Sequence, residues 1–248
     1  MPRWKTGRII RIQSVTSTTR RFWVQVDAEE TVAFKPGQFI TLDLPIAEKR
    51  NQRLRSYSIA NNPDNTNILE LCIVALEGGA ASHYLFNEAT EGTELTFKGP
   101  AGVFTLPETI QPEEELVLIC TGTGVAPFRS MIRDLKVSNR LPHKLHLIFG
   151  TRYASGILYR EEFENLAREE DWFDYSVSLS RDEQLSDLQV EFELTPGYVH
   201  RLVEEHYGTP AENRKFMICG WSAMVDEAAE RLLNLGYQKN QIRFELYG

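Results

Sequence analysis

The sequence of 248 residues predicts a β domain followed by an α/β domain. Its length exceeds that of a typical domain of ~150 residues and fits two compact domains. Short segments rich in β-branched and aromatic residues fill the first part, whereas continuous apolar strands alternate with amphipathic helices in the second. An acidic stretch with two prolines, residues 107–115, separates the patterns, so we expect domains at 1–110 and 111–248.

Six short strands are predicted in the first domain, separated by turn residues such as Pro36-Gly37 and the asparagine-rich stretch 61–65. One helix is predicted at 80–87. Strands of this length and spacing are typical of a small barrel or a sandwich. The predicted strands are 7–15, 21–26, 38–44, 54–59, 68–76 and 94–98.

Five strands alternate with four helices in the prediction for the second domain. Continuous apolar strands between amphipathic helices are typical of a parallel sheet that is covered on both faces. The predicted strands are 116–120, 144–149, 175–179, 216–219 and 241–245. The predicted helices are 127–136, 159–170, 198–207 and 222–235.

The composition, with 42% hydrophobic and 25% charged residues, excludes collagen, low-complexity disorder and coiled coils. A net charge of −8 argues against a general binder of nucleic acids or anionic membranes. Cys72, Cys120 and Cys219 are widely spaced, so we expect neither disulfides nor a metal site. No signal peptide and no apolar run of ~20 residues is found, so we expect a soluble, cytoplasmic protein.

A glycine-rich turn, Thr121-Gly122-Thr123-Gly124, follows the first strand of the second domain and precedes a helix with Pro127 in its first turn. Glycines allow close backbone approach, and the N–H groups and dipole of a helix start attract phosphate. A tight strand-to-helix turn without any ligand explains this pattern equally well.

Arg55, Tyr57 and Ser58 follow one another along a predicted strand of the first domain, and Gly79 and Ser82 flank the start of the predicted helix. Arginine offers a planar fork to phosphate, tyrosine a flat face to an aromatic ring system, and the helix start a second phosphate site. Each segment alone also fits an ordinary strand or a capped helix.

In this order, the segments resemble the ferredoxin–NADP⁺ reductase family of flavoenzymes. The family elements RxYS, GxxS, GTGxAPFR, CGxxxM and terminal ExY are matched in chain order. The matching residues are Arg55, Tyr57, Ser58, Gly79, Ser82, the stretch 121–129, Cys219, Gly220, Met224, Glu245 and Tyr247. The resemblance implies an antiparallel six-stranded FAD-binding barrel at 1–110 and a parallel five-stranded nucleotide-binding sheet with helices on both faces at 111–248.

The resemblance also implies how FAD is bound. Tyr57 would stack on the isoalloxazine, Ser58 would lie beside flavin N5, and Arg55 with Ser82 would hold the pyrophosphate. Tyr247 would cover the other flavin face until nicotinamide displaces it. The expected FAD-binding residues are Arg55, Tyr57, Ser58, Cys72, Ile73, Val74, Gly79, Ala80, Ala81, Ser82 and Tyr247.

For the nicotinamide nucleotide, the resemblance implies a pyrophosphate site at Gly122–Gly124. Cys219 and Glu245 would border the nicotinamide, so the expected catalytic residues are Ser58, Cys219, Glu245 and Tyr247. The expected nucleotide-binding residues are Thr121, Gly122, Thr123, Gly124, Ser180, Arg181, Tyr198, Arg201, Cys219, Gly220 and Met224.

Ser180-Arg181 resembles the family element that binds the 2′-phosphate of NADP(H), and Tyr198 and Arg201 lie where plant-like members place an adenine-stacking tyrosine and a further cation. NADP(H) is therefore favoured over NAD(H), although a solvated surface role for Arg181 stays open. The sequence departs from the family at Trp221, where many relatives have proline after the glycine.

The resemblance implies a flavoenzyme that exchanges electrons between NADP(H) and a one-electron carrier, ferredoxin or flavodoxin, by hydride transfer at flavin N5. The alternatives are an NAD(P)H-dependent reductase component of an oxygenase, a flavin reductase, and a nonenzymatic electron-channelling subunit. Residues 1–60 carry a net charge of +6 and residues 61–248 one of −14. Ferredoxins and flavodoxins are acidic, so we expect a basic docking face there. Its candidates are Arg3, Lys5, Arg8, Arg11, Lys49, Arg50 and Arg53.

Overall fold

The computed structural model describes residues 3–27, 29–182, 185 and 188–247. The chain forms two compact units. The first unit comprises Met1–Leu106 and Ala126–Ser138, and the second comprises Pro107–Val125 and Asn139–Gly248. Among the described residues, no helix is long and apolar enough to span a membrane.

The first unit is an antiparallel barrel, as the resemblance implied. Its strands are β1 (Trp4–Ser14), β2 (Thr19–Val26), β3 (Phe39–Asp43), β4 (Leu54–Ser58), β5 (Ile68–Val74) and β6 (Glu94–Ala101). They pair in the order β4-β3-β6-β1-β2-β5. A bridge between Ile59 and Leu71 joins the two outer strands and closes the sheet. Because side chains alternate along each strand, one set fills the interior, including Phe22, Ile40, Leu42 and Phe97.

Two short helical segments accompany the barrel. The helix α1 (Arg50–Arg53) has only four residues and lies between β3 and β4. The helix α2 (Ala80–His83) continues into a wider turn at Tyr84–Glu88, and together they cover the predicted helix at 80–87. The guanidinium of Arg20 donates to the carbonyl of Phe86 at 2.8 Å, which fixes this segment to β2.

The second unit contains a parallel sheet with helices on both faces. Its strands are β7 (Glu115–Thr121), β8 (Lys144–Thr151), β9 (Phe173–Leu179), β10 (Glu193–Pro196), β11 (Arg214–Trp221) and β12 (Ile242–Tyr247), in the order β10-β9-β8-β7-β11-β12. The helices of this unit are α4 (Arg160–Glu169), α5 (Val199–Tyr207) and α6 (Ser222–Asn234), whereas α3 (Val125–Ser138), which follows β7 in the chain, belongs almost entirely to the first unit. On one face, α5 and α6 pack on Val117, Ile119 and Ile148. On the other face, Phe163 of α4 contacts Phe173 and Tyr175.

The fold class is confirmed, but the parallel sheet has six strands and not the expected five. The additional strand is β10, which pairs with β9 from Glu193↔Ser176 to Pro196↔Leu179. It has four residues, alternates polar and apolar side chains and ends at a proline. Such an edge strand bonds to a single neighbour. Only Thr195 of the four residues is buried, so β10 carries no apolar run that a sequence pattern could detect.

A buried ion cluster fixes α3 to the barrel within the first unit. Nη1 of Arg129 on α3 lies 3.0 Å from Oε2 of Glu70 on β5 and also donates to the carbonyl of Ala60. Nε of Arg21 on β2 bonds the other oxygen of Glu70 at 2.7 Å. Glu70 and Arg129 are almost completely buried. The next residue of α3, Ser130, adds a hydroxyl that donates to the carbonyl of Asn61. These bonds explain why most of α3 clusters with the barrel.

The Glu70 carboxylate should contribute strongly to stability, because its removal leaves the buried Arg129 without that partner. We expect Glu70→Leu to lower the free energy of unfolding by about 3–5 kcal/mol. Urea unfolding of the FAD-loaded chain, followed by circular dichroism, measures this loss. Glu94→Leu is the matched control, because Glu94 faces Arg8 at 4.0 Å on the surface and its loss should cost less than about 1 kcal/mol. Equal losses in the two variants would contradict the role of the cluster.

Candidate functional site

The three segments expected to bind FAD lie on consecutive or adjoining elements of the first unit. Arg55, Tyr57 and Ser58 are on β4, and Cys72, Ile73 and Val74 are on β5. The bridge between Ile59 and Leu71 sets the ends of these stretches side by side. After β5 the chain turns directly into α2, which begins at Ala80. The structure therefore brings the predicted residues of the barrel together.

Arg55 and Tyr57 present a cation and a flat ring on β4. Arg55 is exposed, and its Nη1 donates to the carbonyls of Gln52 and Leu54 at 3.1 and 2.8 Å. No acidic partner of Arg55 is found in the described part of the chain, so its guanidinium can still bind an anion. Tyr57 packs on the barrel core, and burial raises its pKa to about 12, although Arg55 opposes the shift. The phenol therefore stays neutral, and Ser58 beside it is buried.

The start of α2 offers hydrogen-bond donors to a phosphate. The backbone N–H of Leu76 donates to Oγ of Ser82 at 2.8 Å, which leaves the hydroxyl hydrogen of Ser82 as a donor. The first N–H groups of a helix also have no partner within it. The side chain of Ala81 is buried, so that residue can contribute only its backbone. These groups fit the pyrophosphate of FAD.

In the second unit, the predicted nucleotide-binding residues gather at the carboxyl ends of the parallel strands. This edge is where open α/β sheets bind ligands. The groups lie in or directly after the last residues of four strands, with Met224 at the start of α6 and Tyr198 and Arg201 at the start of α5. The four strand ends are those of β9 (Ser180, Arg181), β7 (Thr121, Gly122, Thr123, Gly124), β11 (Cys219, Gly220) and β12 (Glu245, Tyr247).

Two glycines allow the turn after β7 to lie directly against the end of β11. A Cβ on Gly124 would overlap the carbonyl of Cys219 and lie 2.9 Å from Cα of Gly220. Gly220 has a φ of +149°, and a Cβ there would lie 2.5 Å from Oγ1 of Thr121. No side chain fits either position. The two expected motifs therefore form one backbone surface at the edge of the sheet.

Beside this surface, Cys219 and Glu245 are neighbours in the register of β11 and β12. Cys219 is completely buried, and burial together with Glu245 raises the pKa of its thiol, so the thiol stays neutral. Burial raises the pKa of Glu245 to about 7. Among the described residues, neither Oε2 of Glu245 nor Oγ1 of Thr121 has a hydrogen-bond partner, although both atoms are buried. Such orphaned polar atoms fit a site that a polar ligand completes.

At the other end of the edge, two arginines emerge side by side. The backbone N–H of Arg181 donates to the carbonyl of Arg152 at 2.9 Å, and Ser180 bonds Thr151 in the same way at 3.0 Å. Arg152 and Arg181 are both exposed, and no acidic partner of either is found in the described ranges. Sequence reasoning missed Arg152, although it follows an apolar strand just as Arg181 does.

Tyr198 and Arg201 differ in how free their side chains are. Gly197 bonds Leu179 at the end of β9, so Tyr198 lies beside Ser180 and Arg181, and its ring is 74% exposed. Arg201 is on the first turn of α5, where its Nε lies 2.7 Å from Oε1 of Glu205. That ion pair makes Arg201 a weaker candidate for phosphate than the two strand-end arginines.

Two sequence families match the chain. One is described as an oxidoreductase FAD-binding domain and covers residues 6–106, and the other as an oxidoreductase NAD-binding domain and covers residues 118–230. Ferredoxin–NADP reductase B of Sorangium cellulosum is 32% identical over 97% of this chain and 96% of its own length. The phenol hydroxylase P5 protein of Acinetobacter pittii is 28% identical over 96% of this chain, but this chain spans only 64% of it.

A solved structure has the same fold. It is a ferredoxin NADP⁺ reductase from Neisseria gonorrhoeae with bound FAD and NADP. The TM-score is 0.82 at 23% sequence identity, and the match covers 99% of both chains.

The raised pKa of Glu245 should make stability depend on pH. Its folded pKa of about 7 lies above the ordinary 4.5, so the folded protein binds this proton more tightly than the unfolded chain. The stability it contributes is present below pH 4.5 and lost as the pH rises through 7. We expect Glu245→Gln to reduce the fall in unfolding free energy between about pH 5 and pH 8, as measured by urea unfolding.

Glu230→Gln is the matched control for this measurement, because Glu230 is an exposed glutamate on α6. It should follow the wild-type pH profile. Parallel profiles for wild type and Glu245→Gln would show that the Glu245 carboxyl does not carry the effect.

Proposed function

The chain belongs to the ferredoxin–NADP⁺ reductase family, and we propose that it exchanges electrons between NADP(H) and a one-electron carrier, ferredoxin or flavodoxin, through FAD. The observation that carries the nucleotide half is the pair Arg152 and Arg181 at adjacent strand ends. The carrier half is supported by the likeness to ferredoxin–NADP reductase B over 96% of that relative's length. In this proposal, residues 1–110 bind FAD and residues 111–248 bind the nucleotide.

Bound FAD supplies the chemistry, because it takes up two electrons from a reduced nicotinamide and gives them up one at a time. Tyr57 offers its neutral ring to the flavin, and Arg55 and Ser82 bind the pyrophosphate. Ser58 would add a hydroxyl, and the backbone of Cys72, Ile73 and Val74 would lie along the ribityl chain. Ala80 and Ala81 would contribute backbone N–H groups, whereas the N–H of Gly79 already donates to the carbonyl of Leu76 at 3.0 Å. The role of Tyr247 beside the flavin stays a prediction.

The main task proposed for the residues of the nucleotide site is to position the nucleotide. Gly122, Thr123 and Gly124 supply backbone donors to the pyrophosphate, and Gly220 with Met224 shapes the surface next to them. Glu245, with a pKa of about 7, holds or releases a proton near neutral pH. Cys219 stays a neutral thiol and offers a weak donor without adding charge.

Arg152 and Arg181 are proposed to bind the 2′-phosphate that distinguishes NADP(H) from NAD(H). We expect Arg181→Ala and Arg152→Ala each to raise KM for NADPH about 10- to 150-fold, because a charged hydrogen bond contributes ~1.5–3 kcal/mol. Initial rates with NADPH and NADH measure this effect, and KM for NADH should hardly change. Arg201→Ala is the matched control and should have a smaller effect, because Glu205 already binds Arg201. Equal losses with both nucleotides would rule out recognition of the 2′-phosphate.

The expected basic docking face is partly neutralised in the folded protein. Lys5 lies 2.8 Å from Glu29, Arg8 lies 4.0 Å from Glu94, and Arg50 and Arg53 share Asp43. The guanidinium of Arg50 stacks on Trp4 at 4.1 Å, with Lys98 at 5.7 Å from the same ring. We define the Trp4 patch as Arg3, Trp4, Lys49, Arg50 and Lys98, and propose that it binds the acidic carrier.

Charge reversal in the Trp4 patch should weaken binding of the carrier without affecting small acceptors. We expect Lys49→Glu to raise KM for ferredoxin several-fold at low ionic strength, with the difference shrinking as salt screens the charges. The rate with a small neutral quinone should not change, and Lys239→Glu on the second unit is the matched control. A salt-independent KM would overturn the docking role of the Trp4 patch.

An oxygenase reductase component is the second candidate, favoured by the 28% identity to the phenol hydroxylase P5 protein over 96% of this chain. NADPH oxidation with ferredoxin, flavodoxin and purified oxygenase components as acceptors tests the choice. Fast turnover with ferredoxin or flavodoxin supports the first candidate. Turnover with an oxygenase component alone supports the second.

A further inference from the structure

Trp221 is a large aromatic residue that the proposed mechanism does not use. It ends β11, directly after Cys219-Gly220, and stands opposite Tyr247 in the register of β11 and β12. Its indole is 48% exposed. Within the described ranges, no hydrogen bond, ring contact or cation contact of this side chain is found. A large ring left free beside a binding surface is typical of a group that packs on a ligand.

The place of Trp221 along the sheet edge indicates which part of the nucleotide it meets. The strand order runs from β9 through β8 and β7 to β11. Neighbouring strands lie ~4.8 Å apart, so the end of β11 is roughly 10 Å from that of β8 and 14 Å from that of β9. A dinucleotide with its 2′-phosphate on Arg152 and Arg181 and its pyrophosphate on Gly122–Gly124 extends its nicotinamide half toward β11.

We infer that Trp221 is a positioning residue for the nicotinamide half of NADP(H), with its indole packed against the nicotinamide riboside. This inference rests on the proposed nucleotide site. The oxidised nicotinamide ring is a cation, and cations are attracted to the face of an indole. Trp221 therefore stabilises bound NADP⁺ more than NADPH.

Binding measurements separate this role from an effect on the adenosine half. Isothermal titration of the oxidised, FAD-loaded protein with NADP⁺ and with 2′,5′-ADP, which lacks the nicotinamide, compares the two halves. We expect Trp221→Ala to lower the affinity for NADP⁺ about three- to tenfold and to leave the affinity for 2′,5′-ADP unchanged. The reason is that an aromatic contact of this kind is worth ~0.5–1.5 kcal/mol. Trp221→Phe should keep most of the affinity for NADP⁺, because it retains an aromatic ring at this position.

The control variant is Leu233→Ala, which removes an exposed apolar side chain from α6 and should change neither affinity. Equal weakening of both ligands by Trp221→Ala, or tighter binding of NADP⁺, would overturn the inference. A wild-type protein that binds neither ligand would overturn the proposed nucleotide site and this role together. Normal wild-type binding with unchanged affinities in Trp221→Ala would overturn the role of Trp221 alone.

Discussion

The nucleotide end of this protein depends on one backbone contact, between the turn after β7 and the last residues of β11. Gly124 and Gly220 make it possible, because a Cβ at either position would collide with the facing segment. The contact holds Thr121 and Cys219 at one place, and the register of β12 adds Glu245 beside them. Donors, a neutral thiol and a readily protonated carboxyl are thereby positioned by the main chain before any ligand binds.

The sequence could predict those features that show as local patterns of residue type. Short segments rich in β-branched and aromatic residues, separated by turn residues, revealed the barrel strands, and continuous apolar runs revealed five strands of the parallel sheet. The edge strand β10 was not predicted because it has four residues, of which only Thr195 is buried, and it carries no apolar run. The motifs located Arg181 but not Arg152, since the closeness of these two residues comes from the pairing of β8 with β9 and not from sequence spacing.

The distribution of charge counted from the sequence differs from the charge that remains unpaired in the folded protein. The excess of basic residues in 1–60 includes Arg50 and Arg53, yet both bind the single carboxylate of Asp43. Arg129 belongs to the motif that contains the turn expected to bind phosphate, yet it is buried against Glu70. The raised pKa of Glu245 likewise follows from burial alone. Pairing and burial arise only after distant segments meet, so a sequence pattern cannot state them.

The backbone bond between Arg181 and Arg152 has a wider consequence. The sheet fixes the spacing of these two positions through backbone hydrogen bonds. Their exposed side chains can therefore be replaced without changing the backbone. In the proposed role of these arginines, two exposed substitutions would convert a site for the 2′-phosphate into a surface for an unphosphorylated ribose while every strand pairing stays in place. In this proposal, the choice between the two cellular pools of nicotinamide nucleotide is separated from the requirements of folding, which leaves it open to rapid evolutionary change.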